Sequence, residues 1–134
     1  MTDDELIARA QAARQRAYAP YSDFHVGAAV LADGEVFDGA NVENASYGLS
    51  VCAERTAILR AVLEGSRELE VVAVVTETAP PATPCGMCLQ TIAEFAPDPT
   101  KVRILLANPQ GERYALTLAQ ALPHGFAPSM LPKK

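Results

Sequence analysis

No run of apolar residues approaches the roughly 20 that a membrane-spanning helix needs. The opening Met1-Thr-Asp-Asp-Glu5 is acidic where a secretory signal is basic, so a soluble, cytoplasmic chain with no membrane partner is expected. Positive charge is also scarce: 11 Lys and Arg stand against 16 Asp and Glu, a formal charge of −5 with only three lysines. A surface that tracks phosphates would have to overcome that field, which argues against nucleic acid as a partner. Cysteine is scarcer still. Three is an odd number in a chain without an export signal, which speaks against a disulfide framework and for metal binding or thiol chemistry. Internal repeats and low-complexity stretches are absent as well. What is there is 134 residues, 49% of them apolar, which suits one domain spanning residues 1–134 around a single sizeable core.

Thr2 with Glu5 three residues on forms a capping-box pattern, and Leu6, Ile7, Ala10, Ala13 and Ala17 recur at helical spacing. A first helix is therefore expected before the stop at Pro20. Phe24 through Ala32 reads as a strand, Asp33-Gly34 as a two-residue turn, and Val36 to about Asn41 as its antiparallel partner. From Cys52, residues Ala53, Ala57, Ile58, Ala61 and Val62 mark a mostly buried helix that Gly65 stops. Val71 to Val75 is continuously apolar, as in a central strand covered on both faces. Beyond the Pro-rich loop 79–84, Cys85 through Ala96 reads as a third helix. Val102–Ala107 and Arg113–Leu118 are further strands, and the tail from Leu122 is expected to lie irregularly on the surface. This order predicts an α/β fold with a mixed sheet of about five strands and helices on its faces.

All three cysteines fall in two short motifs, Cys52-Ala53-Glu54 and Pro84-Cys85-Gly86-Met87-Cys88. In C-x-x-C two sulfurs can converge on one ion when the segment opens a helix. Cys52 sits at a second expected helix start, so three sulfurs could meet where two helix N-termini converge, and the exposed N–H groups there favour thiolates. Tetrahedral zinc suits that set, and three protein ligands leave a position for water, the catalytic pattern. Two competing readings remain: a fourth ligand from His25 or His124 would make the zinc structural and the chain a non-catalytic module, and Cys85 with Cys88 could form a redox pair. Glu54, two residues after a ligand, could reach the open position without occupying it and shuttle protons there; an ordinary solvated glutamate in a first helical turn is the plain alternative.

The C-A-E plus P-C-x-x-C pair resembles the signature of the zinc-dependent cytidine deaminases, in the all-cysteine form of the small homotetrameric nucleoside deaminases. The stretches 18–24, 41–45, 52–57 and 122–126 are similar too, so the resemblance covers nearly the whole chain. It implies a three-layer α/β/α fold and one zinc ion per subunit on Cys52, Cys85 and Cys88. It also implies hydrolytic deamination of cytidine and deoxycytidine in pyrimidine salvage, by attack of zinc-activated water on C4 with Glu54 as the proton shuttle. Under that resemblance Asn41 and Glu43 would bind the sugar hydroxyls, Phe24 would wall the base pocket and Ala53 would contact substrate. Tyr47 and Phe126 would complete a neighbouring subunit's site, and Arg55 would hydrogen-bond the thiolates. Two departures stand out. Leu89 follows Cys88 where the family usually has Arg, removing a charge near the site or a contact between subunits. Gly125 and Ala127 flank Phe126, and such small residues would loosen a lid enough to admit an N4-substituted cytidine. A deaminase of a cytosine-nucleoside antibiotic of the blasticidin S type is the nearest alternative activity.

Overall fold

The computed structural model describes residues 1–132. Thr2 caps the first helix in both directions: its hydroxyl accepts from the Glu5 N–H (3.2 Å) and its own N–H donates to the Glu5 carboxylate (3.1 Å). The helix, α1, runs Asp3–Arg14 and ends before the expected Ala17. The N–H groups of Gln15, Arg16 and Ala17 tighten to carbonyls three residues back, and Tyr18 then leaves the helix to bridge to the 41–43 segment through Asn41 O and the Glu43 N–H. A tertiary pairing thus ends the helix before Pro20 is reached.

The five expected strands form: β1 (Gly27–Ala32), β2 (Glu35–Ala40), β3 (Leu69–Val75), β4 (Arg103–Ala107) and β5 (Arg113–Thr117). They lie in the order β2-β1-β3-β4-β5 with β3 and β4 parallel and every other pair antiparallel, a mixed sheet. The β1–β2 turn has positive φ at both Asp33 (49°) and Gly34 (80°), the combination that suits a two-residue hairpin. Strand β1 starts at Gly27 instead of Phe24, because side chains hold the backbone of 24–26. The other helices are α2 (Ala53–Leu63), α3 (Gly86–Glu94) and a short α4 (Leu118–Ala121), the last unforeseen in the sequence reading and capped by Thr117 and Gln120. Over residues 122–132 the tail is irregular apart from one 3-10 turn, Pro128–Met130.

Three layers result. Leu6 and Ala10 of α1 pack on Ala29, Val71, Ala73, Val75, Leu105 and Ala107 on one face. Ala57, Ile58, Ala61, Ile92 and Leu118 pack on Val30, Val72, Val74, Ile104 and Leu106 on the other. Two glycines set how closely the outer layers approach. A Cβ on Gly27 would lie 1.9 Å from Ala10 O, and one on Gly39 would lie 2.6 Å from Ala57 N and 3.0 Å from Ala53 O. Helix backbone therefore rests directly on strand backbone at both places, and at Gly39 the contact includes the first turn of α2. Among the described residues no helix is long and apolar enough to cross a membrane.

Candidate active site

Cys52 is the N-cap of α2 and Cys85 the N-cap of α3, while Cys88 lies in the first turn of α3, fully buried. The two helix starts face each other, with Cys52 Sγ 3.9 Å from Cys85 Sγ and Cys85 Sγ 3.5 Å from Cys88 Sγ. All three sulfurs lie within 4.8 Å of one another. Tetrahedral zinc with bonds of about 2.3 Å separates its sulfurs by about 3.8 Å, so the side chains already stand at ligand spacing. Electrostatics points the same way. Hydrogen bonding from Cys88 and then from Arg55 pulls the Cys52 thiol down to about 5, whereas donating to Cys52, together with burial, pushes the Cys88 thiol well above its ordinary range. Without a cation the cluster cannot ionise as a whole; a divalent ion is what lets three thiolates coexist at this distance.

Neither histidine joins the cluster. His25 turns its ring to Asp23, with Nδ1 3.1 Å from Asp23 O, and His124 is exposed in the tail. Among the described residues the metal-ligating group is the three cysteines alone, which removes the imidazole that a closed structural site would have used.

Glu54, in the first turn of α2, is only 4% exposed. Burial, followed by the charge on Cys52, raises its carboxyl pKa above the usual range. It shares a cavity of about 210 Å³ with Cys52, Cys85, Ala53, Phe24 and Asn41. Larger surface depressions, such as the one of about 630 Å³ between Arg9 and Arg60, hold none of the cysteines, so chemistry and not size picks out the site. Arg55 donates from Nη2 to Ser50 O (3.2 Å) and to Cys52 Sγ (3.7 Å), and the sulfur in turn raises the guanidinium pKa. Its Nε is buried without an acceptor among the described residues.

The sugar-binding candidates are already engaged with protein. Asn41 donates from Nδ2 to Phe24 O (2.8 Å) and accepts at Oδ1 from the Val26 N–H (2.8 Å). Each amide atom keeps one hydrogen-bonding position free. Glu43 does not line the cavity; it accepts from the Tyr21 N–H (2.9 Å), the Ser22 N–H (3.1 Å) and the Ser22 hydroxyl, the last of which holds its carboxyl below the usual range. Tyr47 and Phe126 stand outside the cavity as well. Tyr47 is 75% exposed and meets Tyr21 edge-on at 6.0 Å, and Phe126 is half exposed with its carbonyl accepting from Gln90 Nε2 (2.7 Å).

Sequence reasoning missed the far wall of the cavity, made by Val74, Thr76, Ala82 and Thr83. Thr76 Oγ1 accepts from the Ala82 N–H (3.2 Å) and lies 3.1 Å from Thr78 Oγ1, so the Pro-rich segment is a folded wall and not a plain connector. Thr76 directly after the apolar run 71–75 was the available signal. Leu89 is 8% exposed and packs in the core, so the departure from the family pattern at that position is absorbed as apolar packing. Gly125 is pressed on Leu122, whose Cδ2 would lie 2.6 Å from an added Cβ.

A three-thiolate metal site with a buried carboxylate beside it, at the N-termini of two helices on an α/β/α scaffold, defines the class as metal-assisted hydrolases with an open coordination position. Residues 1–104 match the model of the family described as "Cytidine and deoxycytidylate deaminase zinc-binding region", and the chain belongs to that family. It is therefore a zinc-binding enzyme of the deaminase family. The chain is 52% identical over 122 residues to a cytidine deaminase of Halalkalibacterium halodurans, covering 90% of this chain and 91% of that one. To a cytidine deaminase of Sporosarcina psychrophila it is 44% identical, with 95% and 93% covered. The crystal structure of a cytidine deaminase from Burkholderia pseudomallei superposes with a TM-score of 0.89 at 49% identity, over 94% of this chain and all of the other.

Proposed function

We propose that the chain, as one catalytic domain over residues 1–134, hydrolyses the exocyclic amine of cytidine and deoxycytidine, releasing ammonia and leaving uridine and deoxyuridine. The observation that carries this reading is the buried Glu54 in the wall of a small cavity that Cys52 and Cys85 also line. The likeness to named cytidine deaminases over nine-tenths of the chain supports it. Cys52, Cys85 and Cys88 would hold zinc, which when bound supplies the Lewis acidity that makes water a nucleophile near neutral pH.

The remaining work falls to this chain's own groups. Glu54 takes a proton from water at a carboxylate oxygen and delivers one to N3 of the base. As the water oxygen bonds to C4, Glu54 then takes the second proton from the new hydroxyl and passes it to the amino nitrogen, so that the C4–N4 bond breaks and ammonia departs. Ala53, at the first position of α2, has a backbone N–H with no partner inside the helix, and this donor can orient the base. Phe24 supplies the apolar wall against the ring. The free positions on Asn41, and Glu43 beside it, bind the sugar hydroxyls. Arg55 offsets the negative charge that three thiolates concentrate at the site.

Tyr47 and Phe126 act in a neighbouring subunit's pocket within a homotetramer. Their exposure, together with that of Leu59, Leu63 and Met87, supports an assembly that covers these side chains. The natural setting of this activity is pyrimidine salvage in the cytoplasm. The test is loss of cytidine absorbance with parallel ammonia detection, for the zinc-loaded protein beside Glu54→Ala. Turnover by the wild type alone, with zinc content equal in both, is expected; full activity in Glu54→Ala would defeat the proton relay, and a silent wild type would defeat the substrate.

A further inference from the structure

The segment 24–26 carries the aromatic wall of the pocket, yet it belongs to no strand. Every one of its backbone polar groups is nevertheless bonded. The Phe24 N–H donates to Ser22 Oγ (3.0 Å), Phe24 O accepts from Asn41 Nδ2, and the Val26 N–H and O meet Asn41 Oδ1 and the Asn41 N–H. Between them, the His25 N–H donates to Glu77 Oε1 (3.3 Å) and His25 O accepts from Arg14 Nε (2.9 Å). Arg14 and Glu77 are themselves an ion pair, Nη2 to Oε1 at 3.1 Å. The two residues therefore hold His25 at its N–H and at its carbonyl, and hold each other.

Arg14 comes from the last turn of α1, the layer on the opposite face of the sheet from the cysteines. It can reach His25 because α1 lies backbone to backbone on Gly27, where an added Cβ would be 2.6 Å from Arg14 N. Glu77 follows β3 and its side chain is 45% exposed, so it contributes to neither apolar core. The contacts from His25 and Arg14 keep its carboxyl below the usual range and hence ionised.

We propose that Arg14 and Glu77 are positioning residues, a charged clamp that fixes the 24–26 backbone and thereby the aim of Phe24 at the base. The proposal rests on the nucleoside-deaminase reading for its substrate. Because the clamp acts on an aromatic wall and not on the reacting atoms, it affects base binding and leaves the chemical step alone. Asn41 holds the segment from inside the pocket and the clamp holds it from outside, so Phe24 stays ordered with the pocket empty.

The test compares the zinc-loaded full chain with Glu77→Ala, Glu77→Gln and Arg14→Lys, by cytidine kinetics and by amide hydrogen exchange followed residue by residue. In Glu77→Ala, the His25 and Val26 amides are expected to exchange about fivefold faster, the order of one lost hydrogen bond, while Ala28 and Val30 in β1 stay as in the wild type. KM for cytidine rises by a similar factor, about fivefold, with kcat within about twofold. Glu77→Gln recovers most of the KM, since its amide oxygen still accepts from the His25 N–H. Arg14→Lys keeps a cation for Glu77 but lacks the second N–H for His25 O, and falls between. Unchanged exchange in Glu77→Ala would overturn the clamp, and faster exchange with wild-type KM, or a fall in kcat at constant KM, would overturn its positioning role. A wild type silent toward cytidine would strike the substrate assignment instead, and the exchange rates would still decide whether the pair holds the segment.

Discussion

Replacing Gly39 by Ala adds one methyl group at the point where β2 meets α2. The new Cβ would stand 2.6 Å from Ala57 N, 3.0 Å from Ala53 O and 3.1 Å from Ala57 Cα, all backbone atoms that no rotamer change can move. Ordinary contact begins at 3.4 Å, so α2 must withdraw by about 0.8 Å or β2 must bend by as much. Overpacking of this kind costs about 1–3 kcal/mol. The local consequence matters more, because Ala53 immediately follows Cys52 and immediately precedes Glu54. Displacing that turn alters the 3.9 Å separation of Cys52 and Cys85, whereas metal–ligand distances tolerate only about 0.2 Å. Gly39→Ala is therefore expected to lower the unfolding free energy in urea by about 1–3 kcal/mol and to weaken zinc at least about tenfold in competition with a chromophoric chelator. Gly48→Ala, with nothing within 4 Å of the added Cβ, is the stability control. A Gly39→Ala protein as stable as the wild type and with equal zinc affinity would refute the idea that backbone contact at this glycine sets the metal site.

Arg55→Ala removes the donor to Cys52 Sγ and the nearest positive charge, so zinc affinity or turnover should fall at least about tenfold. Equilibrium competition and initial rates measured on the same preparation check this, and two unchanged values would remove Arg55 from the metal's support. Asp3 accepts both Nη groups of Arg103 (2.7 and 2.9 Å), and chiefly that hydrogen bonding holds its carboxyl below the ordinary 3.8. A lowered carboxylate stabilises the fold at pH above its unfolded value and loses that contribution as pH falls through its folded value. The urea midpoints of wild type and Asp3→Asn should thus differ modestly at neutral pH, since both partners are half exposed, and converge below about pH 4. A gap that widens on acidification would reverse the assigned sign.

Elements whose order depends on their own residues were legible in the sequence: the capped α1, the Asp33-Gly34 hairpin and the apolar β3 follow from local spacing. So was the cluster, since two short motifs were enough to bring three cysteines together and to set Glu54 beside two of them in one cavity wall. Misplaced boundaries have a common cause. At 15–18 a pairing with Asn41 and Glu43 takes over the backbone, and at 24–26 side chains from Arg14, Asn41 and Glu77 do so; partners so distant in sequence leave no periodicity to read. Helix α4 is different, because the Thr117-to-Gln120 capping box stood in the sequence and only the brevity of the helix concealed it. Thr76 and Thr83 entered the cavity through the parallel pairing of β3 with β4 and the folding of 79–84, neither of which a linear pattern encodes. The metal's surroundings were thus readable from local motifs, and the pocket's far wall was not.

Under the proposed function Asn41 joins two roles in one amide: it binds the backbone on either side of His25, and it offers what remains of its capacity to the sugar. This narrows the routes by which substrate preference can drift in descendants of this chain. A change at position 41 that favoured a different sugar would also release Phe24 O and the Val26 N–H, so selection acts on both effects together. Glu43 is joined to the same wall one step further off, since the Ser22 hydroxyl that donates to it also accepts from the Phe24 N–H. On that reading Asn41 persists for reasons that only partly concern the substrate, and Glu43, one hydrogen bond further from Phe24, is the less constrained of the two.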